Sequence, residues 1–325
     1  MAQDILVVGE LADGALSATT VELLGAAVRL AEGGRVSVTL LGSAAPAAAA
    51  PAFAAGADRA FVSGDGGYEP FRSDPWVAAV QAAITQAQPA VVLLAQSTVG
   101  RDLGPRLAFR LDTAAAMDCV QLAIEGGSFR ATRPCFGGNA LASYSFATSP
   151  AIATARAKSQ DALDPPRAGA TGETVALPGP AEARTEVTGR EQAAATGLRL
   201  QDAPVVVSGG RGLGGPEGFR LIEQLAAAIG THRAAVGSSR AACDMGWYPV
   251  SQQVGLTGKV VTPDLYIAVA ISGASQHMAG CSGAKAIVAI NRDPEANIFK
   301  AARYGIVGDY KLVLPPLIEA IRALD

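Results

Sequence analysis

The sequence VVVSGGRGLGG at residues 205–215 indicates how the second half of the chain folds. A short β-branched run ends in glycines, and from Pro216 onward the apolar residues follow helical spacing. Gly210, Gly212 and Gly215 satisfy the pattern GxGxxG between this strand and this helix. The pattern is typical of the first strand–helix unit of a doubly wound sheet, where the loop approaches a phosphate. An ordinary tight turn between a strand and a helix would account for the same glycines.

Five short β-branched runs, separated mostly by helical segments, predict the sheet of this second domain. The predicted strands are 204–208, 234–237, 265–271, 286–290 and 305–308. Alternation of strands and helices favours a doubly wound, Rossmann-like parallel sheet, in which a ligand lies beyond the carboxyl ends of the strands. These ends predict a binding site, because each is followed by small or hydrogen-bonding residues: Gly209-Gly210, Ser239-Arg240, Ser272-Gly273, Asn291-Arg292 and Gly308-Asp309.

Two residues at these strand ends, Arg240 and His277, indicate most clearly which ligand could bind there. Arg240 stands where an ordinary NAD site has an acidic residue for the ribose, so the sequence disfavours such a site. A guanidinium there can neutralise a phosphate or stabilise the reduced, anionic forms of a flavin. His277 is one of only two histidines and follows the third strand on a predicted loop, beside Gln276. A surface arginine and a structural histidine are the plainer alternatives.

The first half of the chain alternates strand-like and helix-like segments in the same way. Continuous apolar runs at 5–9, 35–42, 60–64 and 90–96 predict a parallel sheet covered on both faces. After Ala114 the runs VQLAIE, FRATRP, ALASYSFA and AIATARA are short and separated by Gly or Pro, so we expect added strands that extend the sheet in antiparallel fashion.

These patterns predict two α/β domains joined by a connector. The first covers residues 1–160 and is expected to contact a partner, and the second covers 203–325. Residues 161–202 lack helical periodicity and contain several prolines, so they are predicted to be a connector with at most one edge strand.

Composition excludes several classes of function. A net charge of −3 gives no reason to expect a nucleic-acid partner. The longest apolar runs are much shorter than the ~20 residues of a membrane helix, so the chain is not expected to span a membrane. Four scattered cysteines and two histidines predict no metal site. No signal peptide is visible, and we expect a cytoplasmic protein with reduced cysteines.

Motifs of common catalytic sites are also missing from the sequence. There is no GxSxG, no HExxH and no lysine of a nucleotide-binding P-loop. Cofactor ligands without an acid–base set favour an electron carrier over an enzyme, because the chemistry then belongs to the cofactor. An NAD-dependent oxidoreductase, or a subunit that binds a nucleotide for structural reasons, remains the alternative.

The second domain resembles the electron-transfer flavoprotein alpha subunit. The resemblance runs through VVVSGGRGLGG, AAVGSSRAACDMGW, QQVGLTGKVVTPDLYIAVAISGASQHMAG, AIVAINRDPEANIF and YGIVGDY, in that order along the chain. It implies that this domain binds FAD, in a heterodimer with a beta subunit that carries AMP. It also implies that electrons arrive from acyl-CoA or other primary dehydrogenases and leave to a membrane quinone oxidoreductase.

The same resemblance implies roles for individual residues. Arg240 is expected against the isoalloxazine ring with Ser239 beside it, and the Thr257 hydroxyl is expected at the reactive edge of the flavin. Arg211 and Gly212 are expected near the cofactor, and Gln253 and Gly258 are expected along the approach to the ring. The remaining cofactor-binding residues that the resemblance implies are Ser272, Gly273, Gln276 and His277 at the pyrophosphate, ribityl chain and ring carbonyl, and Asn291, Arg292 and Asp309 at the adenosine.

Overall fold

The computed structural model describes residues 2–138, 140–189 and 198–324. These residues form two compact units. The first contains the described residues up to 134 and from 141 to 189. The second contains those between 135 and 140 and from 198 to 324.

Twelve strands and four α-helices lie among the described residues between 5 and 176. The strands are β1 (Ile5–Val8), β2 (Leu11–Ala12), β3 (Ala15–Leu16), β4 (Val36–Leu41), β5 (Arg59–Ser63), β6 (Val91–Ala95), β7 (Ala115–Cys119), β8 (Gln121–Glu125), β9 (Ser128–Cys135), β10 (Ala140–Ser145), β11 (Ala151–Ala155) and β12 (Glu173–Ala176). The helices are α1 (Ala18–Ala31), α2 (Ala45–Ala54), α3 (Ser73–Ala87) and α4 (Thr98–Arg110).

The main sheet of the first unit has seven strands, all paired in parallel. Their order is β12-β5-β4-β1-β6-β11-β7. Strands β1, β4, β6 and β11 are buried along their whole length, because helices cover both faces of the sheet. The predicted parallel α/β domain is therefore confirmed.

The added strands differ from the prediction in their placement. Strands β8 and β9 are antiparallel, and with β10 they form a separate three-stranded sheet instead of extending the main one. Strand β11, from the run AIATARA, lies parallel between β6 and β7 inside the main sheet. All five of its residues are buried and four of them are apolar, which suits a central position better than an edge.

The predicted connector contains the outermost strand of the first sheet. Strand β12 pairs in parallel with β5, with Glu173 opposite Arg59. The Arg59 Nε lies 2.7 Å from the Glu173 carboxylate, and Leu177 just after the strand is buried. This part of the connector thus belongs to the first unit. The connector residues 190–197 lie outside the described part of the chain.

The second unit is a doubly wound parallel sheet of six strands. Their order is β15-β14-β13-β16-β17-β18, so the chain moves to one side of β13 and then to the other. The five predicted strands are all present, and a two-residue strand is added at one edge. The strands are β13 (Val205–Gly209), β14 (Ala234–Ser239), β15 (Gln253–Val254), β16 (Leu265–Val269), β17 (Ala286–Asn291) and β18 (Tyr304–Val307).

Helices cover both faces of this second sheet. One face packs with α5 and α9, and the other packs with α7 and α8. The helices are α5 (Phe219–Ile229), α6 (Arg240–Asp244), α7 (Ser275–Cys281), α8 (Ile298–Ala301) and α9 (Tyr310–Arg322). None of the helices in the described ranges combines the length and the hydrophobicity that crossing a bilayer requires.

Candidate functional site

The carboxyl ends of the second sheet lie level with one another. Gly209 on β13 is opposite both Ser238 on β14 and Val269 on β16, and Val269 is opposite Ile290 on β17. The loops that follow these strands therefore meet at one edge. There they line a cavity of about 830 Å³ and a second one of about 230 Å³. Ligand sites in proteins typically measure roughly 300–1,000 Å³.

Most of the predicted site residues come together around these two cavities. The predicted Asp309 lines the smaller cavity. Gly258 and Gly273 line neither of the two cavities. The larger cavity is lined by eleven of the fourteen predicted residues: Arg211, Gly212, Ser239, Arg240, Gln253, Thr257, Ser272, Gln276, His277, Asn291 and Arg292.

The glycine loop after β13 packs against the protein's own backbone. The N–H groups of Gly210 and Gly212 donate to the carbonyls of Val269 and Ala270, at 2.9 and 3.2 Å. A Cβ on Gly210 would stand 2.2 Å from the Ala270 oxygen, so only glycine fits there. The expected cradle of free N–H groups for a phosphate is therefore not formed by these two glycines. The loop instead brings Arg211 to both cavities.

Arg240 begins helix α6 at the end of β14. The Ser239 hydroxyl caps this helix by accepting a hydrogen bond from the Ala242 N–H at 3.4 Å. The Arg240 Nε lies 3.3 Å from the carboxylate of Asp244, and both side chains are more than half exposed. An exposed ion pair of this kind contributes only about 0–1 kcal/mol, so an anionic ligand can replace Asp244 as the partner of Arg240.

Gln253 holds the hydroxyl of Thr257 in place. Its Nε2 donates to the Thr257 Oγ1 at 2.9 Å. Gln253 is buried on β15, whereas Thr257 is exposed in the tight turn from Gly255 to Gly258. Because Oγ1 accepts this hydrogen bond, the hydroxyl hydrogen is left to donate to a ligand. A Cβ on Gly258 would lie 2.4 Å from the Gln253 oxygen, so this glycine shapes the turn.

Gly273 has a backbone conformation that favours glycine. Its φ is +81°, and a Cβ there would stand 2.2 Å from the main-chain nitrogen of Ile298. The neighbouring Ser272 carbonyl accepts a hydrogen bond from the same N–H at 3.1 Å. Gly273 therefore sets the course of the chain between β16 and α7, which brings Ser272 and Gln276 to the larger cavity.

His277 lies in helix α7, and not in a loop as the sequence predicts. It is 8% exposed, and its Nε2 is 2.9 Å from the phenol oxygen of Tyr266. Burial lowers the pKa of His277 to about 4, so the imidazole is neutral at pH 7. Among the described residues, the buried Nδ1 has no hydrogen-bond partner.

Two predicted ligands use their side chains within the protein. The Asn291 amide donates to the Ile271 carbonyl at 2.9 Å and accepts from the Asp293 N–H at 3.0 Å. The Asp309 carboxylate accepts from the Lys311 N–H at 2.9 Å and caps helix α9. These side chains stabilise the loops at the cavity edge in addition to any contact with a ligand.

The donor set of these cavities suits a dinucleotide that contains a flavin. Three arginines, 211, 240 and 292, line the larger cavity and can neutralise a pyrophosphate. The Thr257 hydroxyl and the imidazole of His277, which both line the larger cavity, supply hydrogen-bond groups for the polar edges of a ring. Asp244 and Tyr266 are absent from the predicted set. An acid four residues after Arg240 was a usable signal for Asp244, whereas Tyr266 reads as an ordinary core residue.

Comparison with known proteins agrees with this geometry. Residues 5–182 match the family model described as "Electron transfer flavoprotein domain", and residues 199–282 match the one described as "Electron transfer flavoprotein FAD-binding domain". The chain is 39% identical to the electron transfer flavoprotein subunit alpha of Bacillus subtilis, over 100% of this chain and 99% of that protein. The chain belongs to the electron transfer flavoprotein alpha subunit family.

Other members of the electron transfer flavoprotein alpha family are similarly close. The Mycobacterium tuberculosis subunit alpha is 41% identical over 98% of both chains. The protein FixB of Clostridium saccharobutylicum is 36% identical over 98% of this chain and 96% of its own length. The second unit is thus an FAD-binding domain of an electron transfer flavoprotein, and the NAD-dependent alternative is disfavoured.

Proposed function

We propose that FAD binds in the cavities at the carboxyl edge of the second sheet, and that the chain uses it to carry electrons between protein partners. The observation that supports this proposal is the convergence of eleven predicted site residues on one cavity of about 830 Å³. The bound flavin would supply the electron-accepting chemistry. The chain would bind it, orient it and set the charge around it.

The main cavity residues have roles in this proposal that follow from their positions and contacts. Arg211, which lines both cavities, neutralises the pyrophosphate, and Arg292 lies at the adenosine end. Arg240 places a positive charge near the ring and gives up its ion pair with Asp244 when it does so. Thr257, held by Gln253, donates its hydroxyl hydrogen to the ring edge. Ser239, Gly258 and Gly273 fix the backbone of the loops that carry these groups.

The partners form a further part of the proposal. The chain pairs with an electron transfer flavoprotein beta subunit, which carries AMP. Electrons come from acyl-CoA or other primary dehydrogenases and pass to a membrane quinone oxidoreductase or a similar acceptor. The chain acts as a carrier and converts no metabolite of its own. Its location in the cytoplasm remains a prediction.

Purification with the beta subunit tests the cofactor and the partner together. We expect a yellow heterodimer with one FAD and one AMP, measured by absorbance and by nucleotide analysis after denaturation. A colourless pair that does not retain added FAD would refute the proposal. A tightly bound flavin that no dehydrogenase reduces would favour the structural nucleotide-binding alternative.

A pair of arginine variants tests the location of the cofactor. Arg292→Ala removes a cation from the cavity edge, and we expect about tenfold weaker FAD binding or more, since a hydrogen bond to a charged group contributes about 1.5–3 kcal/mol. Arg303→Ala is the matched control, because Arg303 is exposed and lies over the Tyr304 ring, outside both cavities. Equal FAD affinity in the two variants would place the cofactor elsewhere.

A further inference from the structure

A buried tyrosine lies behind the histidine of the candidate site. Tyr266 on β16 is fully buried, and its phenol oxygen is 2.9 Å from the Nε2 of His277. The two ring centroids are 6.0 Å apart, at an angle of 56°. Tyr266 lines neither cavity, whereas His277 lines the larger one. Any effect of Tyr266 on a ligand there therefore passes through His277.

Burial keeps both of these rings neutral. It lowers the pKa of His277 to about 4 and raises the pKa of Tyr266 well above its usual value. A neutral imidazole has one N–H and one lone pair, and a neutral phenol has one O–H. The contact at Nε2 thus has two possible forms. Either the phenol donates to Nε2, or Nε2 carries the hydrogen and donates to the phenol.

The groups around the pair favour donation by the phenol. The main chain of Val254 raises the pKa of His277, which is the effect of a carbonyl oxygen that faces a ring N–H, although Nδ1 has no hydrogen-bond partner at full bonding geometry among the described residues. Since Nε2 is at Tyr266, that N–H is at Nδ1. Two polar groups lie beside the phenol: the Cys281 thiol, which donates to the His277 carbonyl at 3.6 Å, and the buried Ser208 hydroxyl, which has no partner at full bonding geometry among the described residues. This hydroxyl can donate to the phenol oxygen while the phenol hydrogen goes to Nε2.

We propose that Tyr266 is a positioning residue for the FAD site: its phenol holds His277 as the neutral tautomer that carries hydrogen at Nδ1. The ring then offers one hydrogen and no positive charge to the bound cofactor. This inference rests on the proposed function, in which His277 contacts FAD. Arg240 supplies the positive charge in that arrangement, and His277 supplies a neutral donor.

Nitrogen NMR tests the tautomer directly. The chain has only two histidines, His232 and His277, so ¹⁵N-histidine labelling gives two ring systems to assign. In the full chain loaded with FAD, we expect the His277 Nδ1 to carry hydrogen and Nε2 to carry none at neutral pH. A His277 protonated at Nε2, or a cationic ring, overturns the proposal, and this measurement needs no variant.

A tyrosine variant tests the role of the phenol. Tyr266→Phe should leave FAD bound, give His277 a mixture of tautomers and shift the reduction potential of the flavin to a lower value. The control is Tyr68→Phe, which removes another buried phenol, bonded to the Pro178 carbonyl at 2.9 Å in the first unit. It should change neither signal. Tyr266→Phe protein with the wild-type tautomer and potential would overturn the proposal.

The two proposals fail in distinguishable ways. A wild-type chain that binds no FAD would refute the proposed function. The His277 tautomer in that FAD-free chain would still decide whether Tyr266 sets it, because the hydrogen bond lies within the protein.

Discussion

The two main sheets of this chain are both parallel, but different side chains lie at their carboxyl edges. In the first unit the chain's own carboxylates lie at the strand ends. Glu10, after β1, accepts a hydrogen bond from Ser97 at 2.5 Å, and Ser97 caps helix α4. Glu69 accepts a hydrogen bond from Ser43, after β4, at 2.9 Å. A carboxylate of the protein thus lies at the start of α4, where an anionic ligand would otherwise bind.

The corresponding edge of the second unit is lined by arginines and short loops around a large cavity. Arg211, Arg240 and Arg292 lie there, and Gly273 lets the chain turn without a side chain. A parallel sheet thus provides a position for a ligand at its carboxyl edge. The residues after each strand decide whether a side chain of the protein or a ligand occupies that position.

The largest effect is expected from Gly273→Ala. Its Cβ would clash with the Ile298 nitrogen in a left-handed conformation, so we expect a loss of roughly 3 kcal/mol in the free energy of unfolding and loss of bound FAD. Gly66→Ala in the first unit is the control, because a Cβ there meets nothing within 4 Å. Denaturant unfolding measures the free energy of unfolding, and the ratio of flavin to protein measures the bound FAD. Normal FAD content in Gly273→Ala would show that the second unit does not need this glycine to bind FAD.

The second effect is a loss of stability of the second unit in acid. The pKa of His277 is lowered from 6.5 to about 4 by burial, so the unfolded state binds the proton first as pH falls. The free energy of unfolding should therefore fall by roughly 3 kcal/mol between pH 6.5 and pH 4. Trp247 reports on this unit when Trp76 is replaced by Phe.

A histidine variant separates this contribution from general acid unfolding. His277→Gln should flatten the dependence on pH over that range, whereas His232→Gln, at an exposed position, should not. An equally steep fall in all three proteins would mean that His277 is not the group that titrates.

A third effect concerns the charge next to the cofactor. Arg240→Ala should lower the flavin reduction potential, because the reduced form loses about 1–3 kcal/mol of stabilisation. Asp244→Asn should raise it by less, about 0.2–1 kcal/mol, because it frees Arg240 from an exposed ion pair. Asp293→Asn removes a charge from the same cavity without touching Arg240 and serves as the control. Shifts of equal sign in Arg240→Ala and Asp244→Asn would contradict this account.

The smallest effect is expected in the first unit, where the contribution to the free energy of unfolding falls as pH rises instead of as pH falls. Burial raises the pKa of Glu10 above 4.5, so the stability linked to its protonated form is present below pH 4.5 and lost as pH rises through the raised pKa. Glu10→Gln should thus be more stable than wild type at pH 7, by about 1 kcal/mol, with the difference vanishing in acid. Trp76 fluorescence in a Trp247→Phe background measures it, and Glu69→Gln, at an exposed carboxyl, is the control.

Much of the fold could be predicted because buried parallel strands are continuous apolar runs. Strands β1, β4, β6, β13 and β16 have this character, whereas β14 and β17 are only partly buried and β18 is exposed. Strand β15 could not be found in this way, because two residues give no periodicity. The separate sheet of β8 to β10 was also missed, since half-exposed strands do not reveal which neighbours they pair with.

The candidate site was predictable in position and less so in its internal contacts. Strand ends and the family resemblance both pointed to the cavity edge. Hydrogen bonds between side chains depend on folding, so the sequence alone did not show that Gln253 holds Thr257 or that Tyr266 holds His277. The glycine loop shows the reverse case, because a correct pattern led to an expected phosphate cradle whose N–H groups are used by the backbone.

The late position of strand β12 in the sequence has a practical consequence for producing the first unit alone. A fragment that ends near residue 160 would leave the backbone of β5 without its neighbour along a whole strand edge. It would also lose the carbonyl of Pro178, to which Tyr68 donates a hydrogen bond. Open strand edges recruit other chains, so such a fragment should aggregate during expression. On the ribosome, this sheet can close only after Ala176 has left the exit tunnel, when residues well beyond it have already been added to the chain.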